Sequence, residues 1–315
     1  MKLVINIPCL NEEKTLPLVL SELPKKLDGI DTIIVQIVDD GSSDNTSKIA
    51  MEYGARVIRH EKNLGLGTAF KHGMEAALEA DADIMVNTDA DNQYPSRYIK
   101  DLIKPVIDGR ADMVIGNRTP WKISHFSGFK RFLQYFGNML TRKVAGSATP
   151  DTVSGFRAYS KEAMLRLNIT TKFSYVLDTI VQAERKNLNV ASVPIETNTP
   201  LRRSRLFKNI LQHVYKSGRN LLRCYIIYEP FMTFMWLTMF FLAPAMILLI
   251  RFLYFYVTNG GAGHIQSLVI SSFLFALSGI MFSLSIIAEI IGMNRTLIEE
   301  QIYLKKKEFY QNRRR

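Results

Sequence analysis

The sequence predicts an α/β domain with a mostly parallel sheet, followed by membrane-associated helices, and three observations predict it. Short β-rich runs alternate with helix-length stretches over the first 200 residues, the pattern of βαβ units. Polar clusters stand at the carboxyl ends of three of those runs, where open α/β sheets bind their ligands. Two long apolar runs, Pro230 to Tyr256 and Ile265 to Gly292, carry only Arg251 and Glu289 as formal charges, and each is long enough to cross a bilayer.

Leu3 to Ile7 reads as the first strand. MKLVINIPCL has one lysine, a very short apolar run and no small-residue cleavage site, so a strand is expected here rather than a secretory signal. The strand runs into PCLNEE, Pro8 to Glu13, and Glu12 to Leu27 reads as a helix. Thr32 to Val38 is the second strand and ends in VDDGSSD, Val38 to Asp44. NLGLGTAFKHG, Asn63 to Gly73, is a glycine-containing loop opening a helix over Thr68 to Leu78. Ala82 to Asn87 is a strand that runs into VNTDADNQYP, Val86 to Pro95; Met113 to Gly116 and the helical stretch Phe129 to Val144 continue the alternation. Three loops are thus expected to converge on one face of the sheet. From Leu206 to Ile226 apolar residues recur at three-and-four spacing, with Lys208, Lys216, Arg219 and Arg223 mainly off the stripe. One or two helices lying in the headgroup region suit that pattern.

The formal charge of +11 is unevenly placed. Residues 1 to 199 carry 25 Lys/Arg against 24 Asp/Glu, residues 200 to 228 carry seven basic residues and no acid, and residues 293 to 315 carry seven against three. Basic flanks beside apolar spans, with neither Lys nor Arg in the linker Val257 to His264, predict that both termini and the N-terminal domain are cytoplasmic. A near-neutral globular part argues against nucleic acid as a partner, because the surplus charge forms no footprint on it. Only Cys9 and Cys224 are present, without the spacing of a zinc site or disulfide framework, and Cys9 reads as a small apolar residue near a strand end.

Asp89 and Asp91, at i and i+2 beyond a strand, can fix a hard divalent cation such as Mg²⁺ or Mn²⁺, which accepts one or two carboxylates plus substrate phosphates. A turn held by the aspartates' own backbone hydrogen bonds is the other reading of the same residues. Asp39 or Asp40 is placed to hydrogen-bond a base or ribose hydroxyl; a helix cap with acids in the first turn is equally compatible, and the two can coexist.

Taken together, PCLNEE, VDDGSSD, NLGLGTAFKHG and the D-x-D resemble the nucleotide-sugar site of the family 2 glycosyltransferases. DTVSGFRAYSKEA, Asp151 to Ala163, resembles the S-G-F-R segment of the polyprenyl-phosphate glycosyltransferases within that family, of the dolichyl-phosphate mannose synthase kind. The resemblance covers residues 1 to about 200 and the architecture that follows. It implies a GT-A (Rossmann-like) catalytic domain and a metal-dependent, inverting transfer of a hexose or N-acetylhexosamine from a GDP- or UDP-sugar to dolichyl or undecaprenyl phosphate. It also implies site residues: Asp89 and Asp91 for the metal, Gln93 near the donor, and Pro8, Asn11, Glu12, Asp39, Asp40, Gly65 and Asp89 around the nucleotide sugar. Arg118 in GNR, Arg131 in FKR, Ser154 and Arg157 fall where these enzymes hold the acceptor phosphate. Arg202 and Arg203 add forked cationic donors beside the interfacial stretch. A homo-oligomer, such as a tetramer, is compatible with the resemblance.

The expected organisation is a GT-A domain over 1–200, juxtamembrane amphipathic helices over 201–229, a two-helix transmembrane hairpin over 230–292 and a basic cytoplasmic tail over 293–315. A family 2 enzyme acting on a hydroxyl of a glycan or another lipid is the alternative, and it would need a base to deprotonate its acceptor.

Overall fold

The computed structural model describes residues 1–118, 139, 151–171, 175–199, 218–219, 222–260 and 264–312. Strands β1 (Lys2–Cys9), β2 (Thr32–Asp39), β3 (Arg56–Arg59), β4 (Ile84–Asn87), β5 (Met113–Asn117), β6 (Arg157–Ser160) and β7 (Val190–Pro194) form a sheet in the order β3-β2-β1-β4-β6-β5-β7. Every pairing is parallel except those of β6, which runs antiparallel to both β4 and β5. The parallel pairs need crossovers. These are supplied by α1 (Leu16–Glu22), α2 (Thr46–Glu52), α3 (Leu66–Glu79) and α4 (Ile99–Ile107), while α5 (Lys161–Arg166) follows β6 and α6 (Tyr175–Arg185) precedes β7. The expected helix over Phe129 to Val144 lies outside the described residues, Met139 apart, as do Arg131, Arg202, Arg203 and most of the 206–226 stripe.

The central strands read as continuous apolar runs because both faces of the sheet are covered. Leu3, Val4, Ile5 and Ile7 of β1 and Ile84, Met85 and Val86 of β4 are all fully buried. From β1 the chain builds outward through β2 and β3, then returns to lay β4 along the other edge of β1. The loops after β1 and β4 therefore leave in opposite directions, and a crevice opens at the carboxyl ends of these neighbours.

Helix α3 crosses β1 and β2 through its small face, and Gly73 marks the closest approach. A methyl group there would lie 2.2 Å from Asn6 Oδ1, and Asn6 is itself fully buried and hydrogen-bonded to Gln36 and Asn87. Asn6 therefore has nowhere to move. Gly73→Ala is expected to cost about 1–3 kcal/mol by overpacking, read as a lower denaturant midpoint for the full chain in detergent; an unchanged midpoint would contradict this packing.

Residues Met1–His213 together with Gln301–Arg315 make one compact unit, and Val214–Glu300 make another. In the second, α7 (Pro230–Asn259) ends at Gly260, whose φ of 67° suits glycine, and α8 (Ile265–Asn312) follows. The two helices are antiparallel neighbours. Ser271 Oγ donates to Ala245 O at 2.8 Å and Ser278 Oγ to Thr238 O at 3.3 Å, so a step of one heptad up one helix matches one heptad down the other. Both helices are long and apolar enough to cross a membrane, and only 11% of each apolar window is buried within the chain. Their large side chains face outward, Trp236 and Phe240 each being 70% exposed, which separates them from the core helices of a soluble domain.

The stretch after Gly292, expected as a basic tail, is helical to Asn312, and from Gln301 it belongs to the first unit. Tyr303 donates its hydroxyl to Glu162 at 2.9 Å beneath the Arg166 guanidinium, and Lys306 Nζ donates to Leu167 O and Asn168 Oδ1 at 3.3 and 3.0 Å. Aromatic and charged side chains spaced three apart on one helix face thus tie these turns to α5 and the loop after it.

Candidate active site

Asp89 stands two residues beyond the end of β4, and Asp91 two residues further on. Asp91 Oδ1 accepts the Gln93 N–H at 3.1 Å, and Asn92 takes φ 57°, so a tight turn carries the pair. The turn reading of these residues is seen in these bonds. Asn198 anchors the far side, its backbone N–H donating to Gln93 O at 3.0 Å and its side chain to Asn92 O at 3.0 Å.

Removal from water, first, and then the neighbouring Asp91 carboxylate push Asp89 up to about 7; Glu12 adds to the push, and Arg118 opposes it. Three acids thus lie within electrostatic reach at the mouth of the β1–β4 crevice, with Arg118 as the opposing cation on Asp89 among the described residues. Among the described residues no three His, Cys, Asp or Glu side chains gather to enclose a metal. Asp89 and Asp91 instead make an open pair of oxygen donors. The Cys9 thiol, beside them, is raised well above its ordinary value by burial and then by Glu12, Asp39, Asp44 and Asp89, which suits a packing residue rather than a thiolate.

The loops after β1 and β2 are locked together. Ser42 Oγ accepts the Asn11 N–H at 2.8 Å, Asn11 Oδ1 accepts the Ser43 N–H at 2.8 Å, and Asn11 holds φ 56°. The Glu12 N–H donates to Thr46 Oγ1 at 2.8 Å, and its carboxylate accepts from Thr15 Oγ1 at 2.8 Å. Pro8 lies in β1 opposite Val38. Asp39, fully buried, accepts from the Ser42 N–H at 2.8 Å and from the Ser47 hydroxyl, the loop-capping reading of that acid. Asp40 reaches further: it accepts the Leu64 and Gly65 N–H groups at 2.8 and 2.9 Å, with His60 Nδ1 2.7 Å away and His72 Nδ1 2.9 Å beyond His60 Nε2. Gly65, at φ 98°, is therefore placed by the acid that follows β2.

The segment before β6 closes the site from the other side. A methyl group on Gly155 would stand 3.4 Å from both Asp89 carboxylate oxygens and 3.0 Å from the Tyr175 hydroxyl, so the S-G-F-R segment lies directly against the first acid of the D-x-D. Ser154, beside it, is fully buried. Arg118 is part of the same wall. Its Nε and Nη2 donate to Asp151 at 2.7 and 3.0 Å, and its own N–H adds a third bond at 3.1 Å. Despite the burial of both groups, Tyr94 and then Asp151 hold Arg118 above its ordinary value, and Arg118 holds Asp151 below its own. Arg157 is fully buried and spends its guanidinium donors on Ser154 O, Thr152 O, Val176 O and Thr179 Oγ1 at 2.7–3.0 Å. It braces the loop that presents Ser154 and Gly155, and the donors bonded there are the ones that the resemblance assigns to the acceptor side. Its side chain forms the inner support because β6 begins at this residue and points it into the domain.

Several residues of this site were not singled out in sequence. Asn6, Gln36 and Asn87 are fully buried polar side chains, Tyr94 and Tyr175 lie within electrostatic reach of Asp89, and Asp151 pairs with Arg118. A signal existed: each of the three amides interrupts or ends an otherwise apolar strand, as in LVINI, IIVQIV and IMVN.

Residues 4–167 match the family model of glycosyl transferase family 2. Over 213 residues the chain is 32% identical to the UDP-N-acetylglucosamine–dolichyl-phosphate N-acetylglucosaminyltransferase of Methanococcus voltae, covering 61% of this chain and 83% of that protein. It is 31% identical over 189 residues to the dolichyl-phosphate hexose transferase of Haloferax volcanii, covering 59% and 78% respectively. Among solved structures, glucosyl-3-phosphoglycerate synthase from Mycobacterium tuberculosis, in complex with Mn²⁺, UDP-glucose and phosphoglyceric acid, superposes with a TM-score of 0.55 at 22% identity, over 71% of this chain and 78% of that one. That likeness shows the GT-A-like fold. The family model spans more than half of the chain, and the curated relatives are matched over most of their length, so the chain belongs to glycosyl transferase family 2.

Proposed function

We propose that this glycosyltransferase moves a hexose or N-acetylhexosamine from a GDP- or UDP-sugar to a polyprenyl phosphate, dolichyl or undecaprenyl, with inversion at the anomeric carbon. The observation that carries the reading is the seating of Gly155, in the segment shared with polyprenyl-phosphate transferases, against Asp89. The names of the two curated relatives support the lipid-phosphate acceptor. The two outward-facing apolar helices support a membrane-bound enzyme, and the basic flanks support cytoplasmic termini and a cytoplasmic catalytic domain.

Asp89 and Asp91 fit Mg²⁺ or Mn²⁺, because their donors are all oxygen, their mutual repulsion outweighs the opposing pull of Arg118, and their openness leaves room for phosphate oxygens. When bound, the ion offsets the charge that builds on the departing nucleoside diphosphate. The chain does the rest. Pro8, Asn11, Glu12, Asp39, Asp40 and Gly65 shape the donor pocket: Asp39 and Asp40 act through the turns they fix, and Gln93 closes the turn beside Asp91. Arg118 and Ser154 form the wall between donor and acceptor. Arg131, Arg202 and Arg203 are assigned to the acceptor phosphate on their charge and forked donors. A phosphate monoester, with a second pKa of about 6, is already largely ionised at neutral pH and attacks without a general base. No side chain is therefore assigned that role.

The test is an incubation of the full chain in detergent with a polyprenyl phosphate and a panel of GDP- and UDP-sugars, with Mg²⁺ or Mn²⁺. A lipid-linked monosaccharide from one donor is the expected product. Transfer to a glycan or lipid hydroxyl, with none to the lipid phosphate, would overturn the acceptor assignment.

A further inference from the structure

Four buried polar side chains on four different elements form one directed series of hydrogen bonds under the site. Gln36 Nε2 on β2 donates to Asn6 Oδ1 on β1 at 3.0 Å, and Asn6 Nδ2 donates to Asn87 Oδ1 on β4 at 2.8 Å. Asn87 Nδ2 donates to the Tyr175 hydroxyl on α6 at 2.7 Å and to Gly155 O at 3.2 Å, and the Tyr175 hydroxyl donates to the same Gly155 O at 3.2 Å. Gln36 starts the series as a donor, and Asn6 and Asn87 each accept from the side before and donate to the side after, the arrangement in which bonds polarise one another. Gln36, Asn6 and Asn87 are fully buried, and Tyr175 is 1% exposed.

The middle of a parallel sheet is an expensive place for amides. Apolar residues would fill it without the desolvation cost, and the packing here is built around the polar set: α3 carries glycine at residue 73 where Asn6 needs the space, and the Gly73 carbonyl accepts a second bond from Gln36 at 2.9 Å. Phe70 lies flat on the Tyr175 ring, at 3.9 Å between centroids and 6° between planes, and so fixes the ring independently of its hydroxyl.

All bonds in the series lead to Gly155. Its N–H approaches the Tyr94 hydroxyl at 3.4 Å, and Tyr94 stacks on Phe156 at 5.2 Å. Asn87 and Tyr94 flank the two acids in NTDADNQY, so both ends of the D-x-D segment grip the residue that packs on the Asp89 carboxylate. We propose that Gln36, Asn6, Asn87 and Tyr175 are positioning residues that set the Gly155 segment against Asp89 and so fix the carboxylate pair for its cation and donor. This rests on the reading of Asp89 and Asp91 as a cation seat.

Tyr175→Phe deletes the hydroxyl and keeps the ring stacked on Phe70. Tyr159→Phe is its control, since that ring also packs against Phe70, at 5.6 Å, while its hydroxyl lies outside the series. The probe is Mn²⁺ alone, titrated onto the full chain in detergent with free ion followed by electron paramagnetic resonance, alongside steady-state kinetics and thermal unfolding. For Tyr175→Phe the expected result is about tenfold weaker Mn²⁺ binding and about tenfold lower kcat, as for other residues standing behind metal ligands. KM for the polyprenyl phosphate should be unchanged, and the Tm should move by no more than about 4 °C. Tyr159→Phe should match the parent in all four. Asn87→Ala should show the same Mn²⁺ loss with a larger fall in Tm, because it empties two bonds and strands Asn6 Nδ2. Parent-like Mn²⁺ affinity and kcat in Tyr175→Phe, or equal losses in Tyr159→Phe, would overturn the positioning role. A parent chain that takes up no Mn²⁺ would overturn the cation reading and this proposal with it.

Discussion

Asp89→Asn is expected to abolish sugar transfer and at the same time stabilise the metal-free protein. The amide keeps the shape but cannot supply the anionic oxygen a hard cation needs, so kcat/KM should fall by at least about 10³-fold, the upper range for loss of one preorganised electrostatic group. The gain in stability follows from the carboxyl at about 7. Its folded pKa stands above the unfolded value, so the native state holds the extra proton between roughly pH 4 and 7. Stability from this group is full below the unfolded pKa and is lost as pH rises through about 7, after which the charged native carboxylate carries a constant penalty. The Asn variant should therefore match the parent near pH 4 and exceed it above pH 7 by on the order of 1–4 kcal/mol. Mn²⁺ uptake by the parent should strengthen with pH up to about 7 and then level off, because proton and cation compete for one carboxylate. Thermal melts at several pH values with chelator, beside transfer assays with Mn²⁺, check both halves. A variant that retains transfer, or a stability difference that shrinks as pH rises, would contradict the assignment.

Asp151→Ala is expected to be the most damaging single change to the wall of the site. The Arg118 side chain is 11% exposed and that of Asp151 fully buried, so their bidentate pair leaves the guanidinium little access to water in place. Removing a buried partner strands the opposite charge, at about 3–5 kcal/mol. The loss should include activity, because the Val153 N–H also donates to Asp151, at 3.2 Å, and so the start of the segment carrying Ser154 and Gly155 loses its anchor. Arg118→Met in the same background should recover much of the stability by removing the orphaned charge, without restoring transfer. Chemical unfolding of the two variants and the parent measures this. A double variant no more stable than Asp151→Ala would show that the pair's burial is not what makes the single change costly.

Much of the fold was legible because its signals are local. Strands β1, β2, β4 and β5 are apolar runs of β-formers bounded by turn residues, and α3 follows a glycine-containing loop. Strands β3, β6 and β7 escaped notice for physical reasons. RVIR and RAYS have four residues each, VASVP ends in proline, and β6 begins with an arginine that becomes buried only because Ser154, Thr152, Val176 and Thr179 surround it. The antiparallel direction of β6 could not be read either, since the strand is recruited by two neighbours distant in sequence. The amides Asn6, Gln36 and Asn87 were visible as polar interruptions, but their meaning depends on register: Asn6 pairs with Gln36 on one side and Asn87 on the other.

By itself the sequence determined which residues carry charge and apolar length: the acids Asp89 and Asp91, the glycine and acid loops at three strand ends, the two bilayer-length helices and their basic flanks. These properties are written in composition and spacing along one chain, and they hold whatever the chain packs against. Only the tertiary structure decided how the charges are spent. It set Arg118 on Asp151, turned Arg157 inward as a brace, gave Asp40 to the Gly65 loop, and brought Gly155 within contact of Asp89 across 66 positions of sequence. Pairing of buried polar groups is a property of three-dimensional neighbours, because each group left unsatisfied away from water costs about 1–3 kcal/mol of a net stability of only about 5–15 kcal/mol.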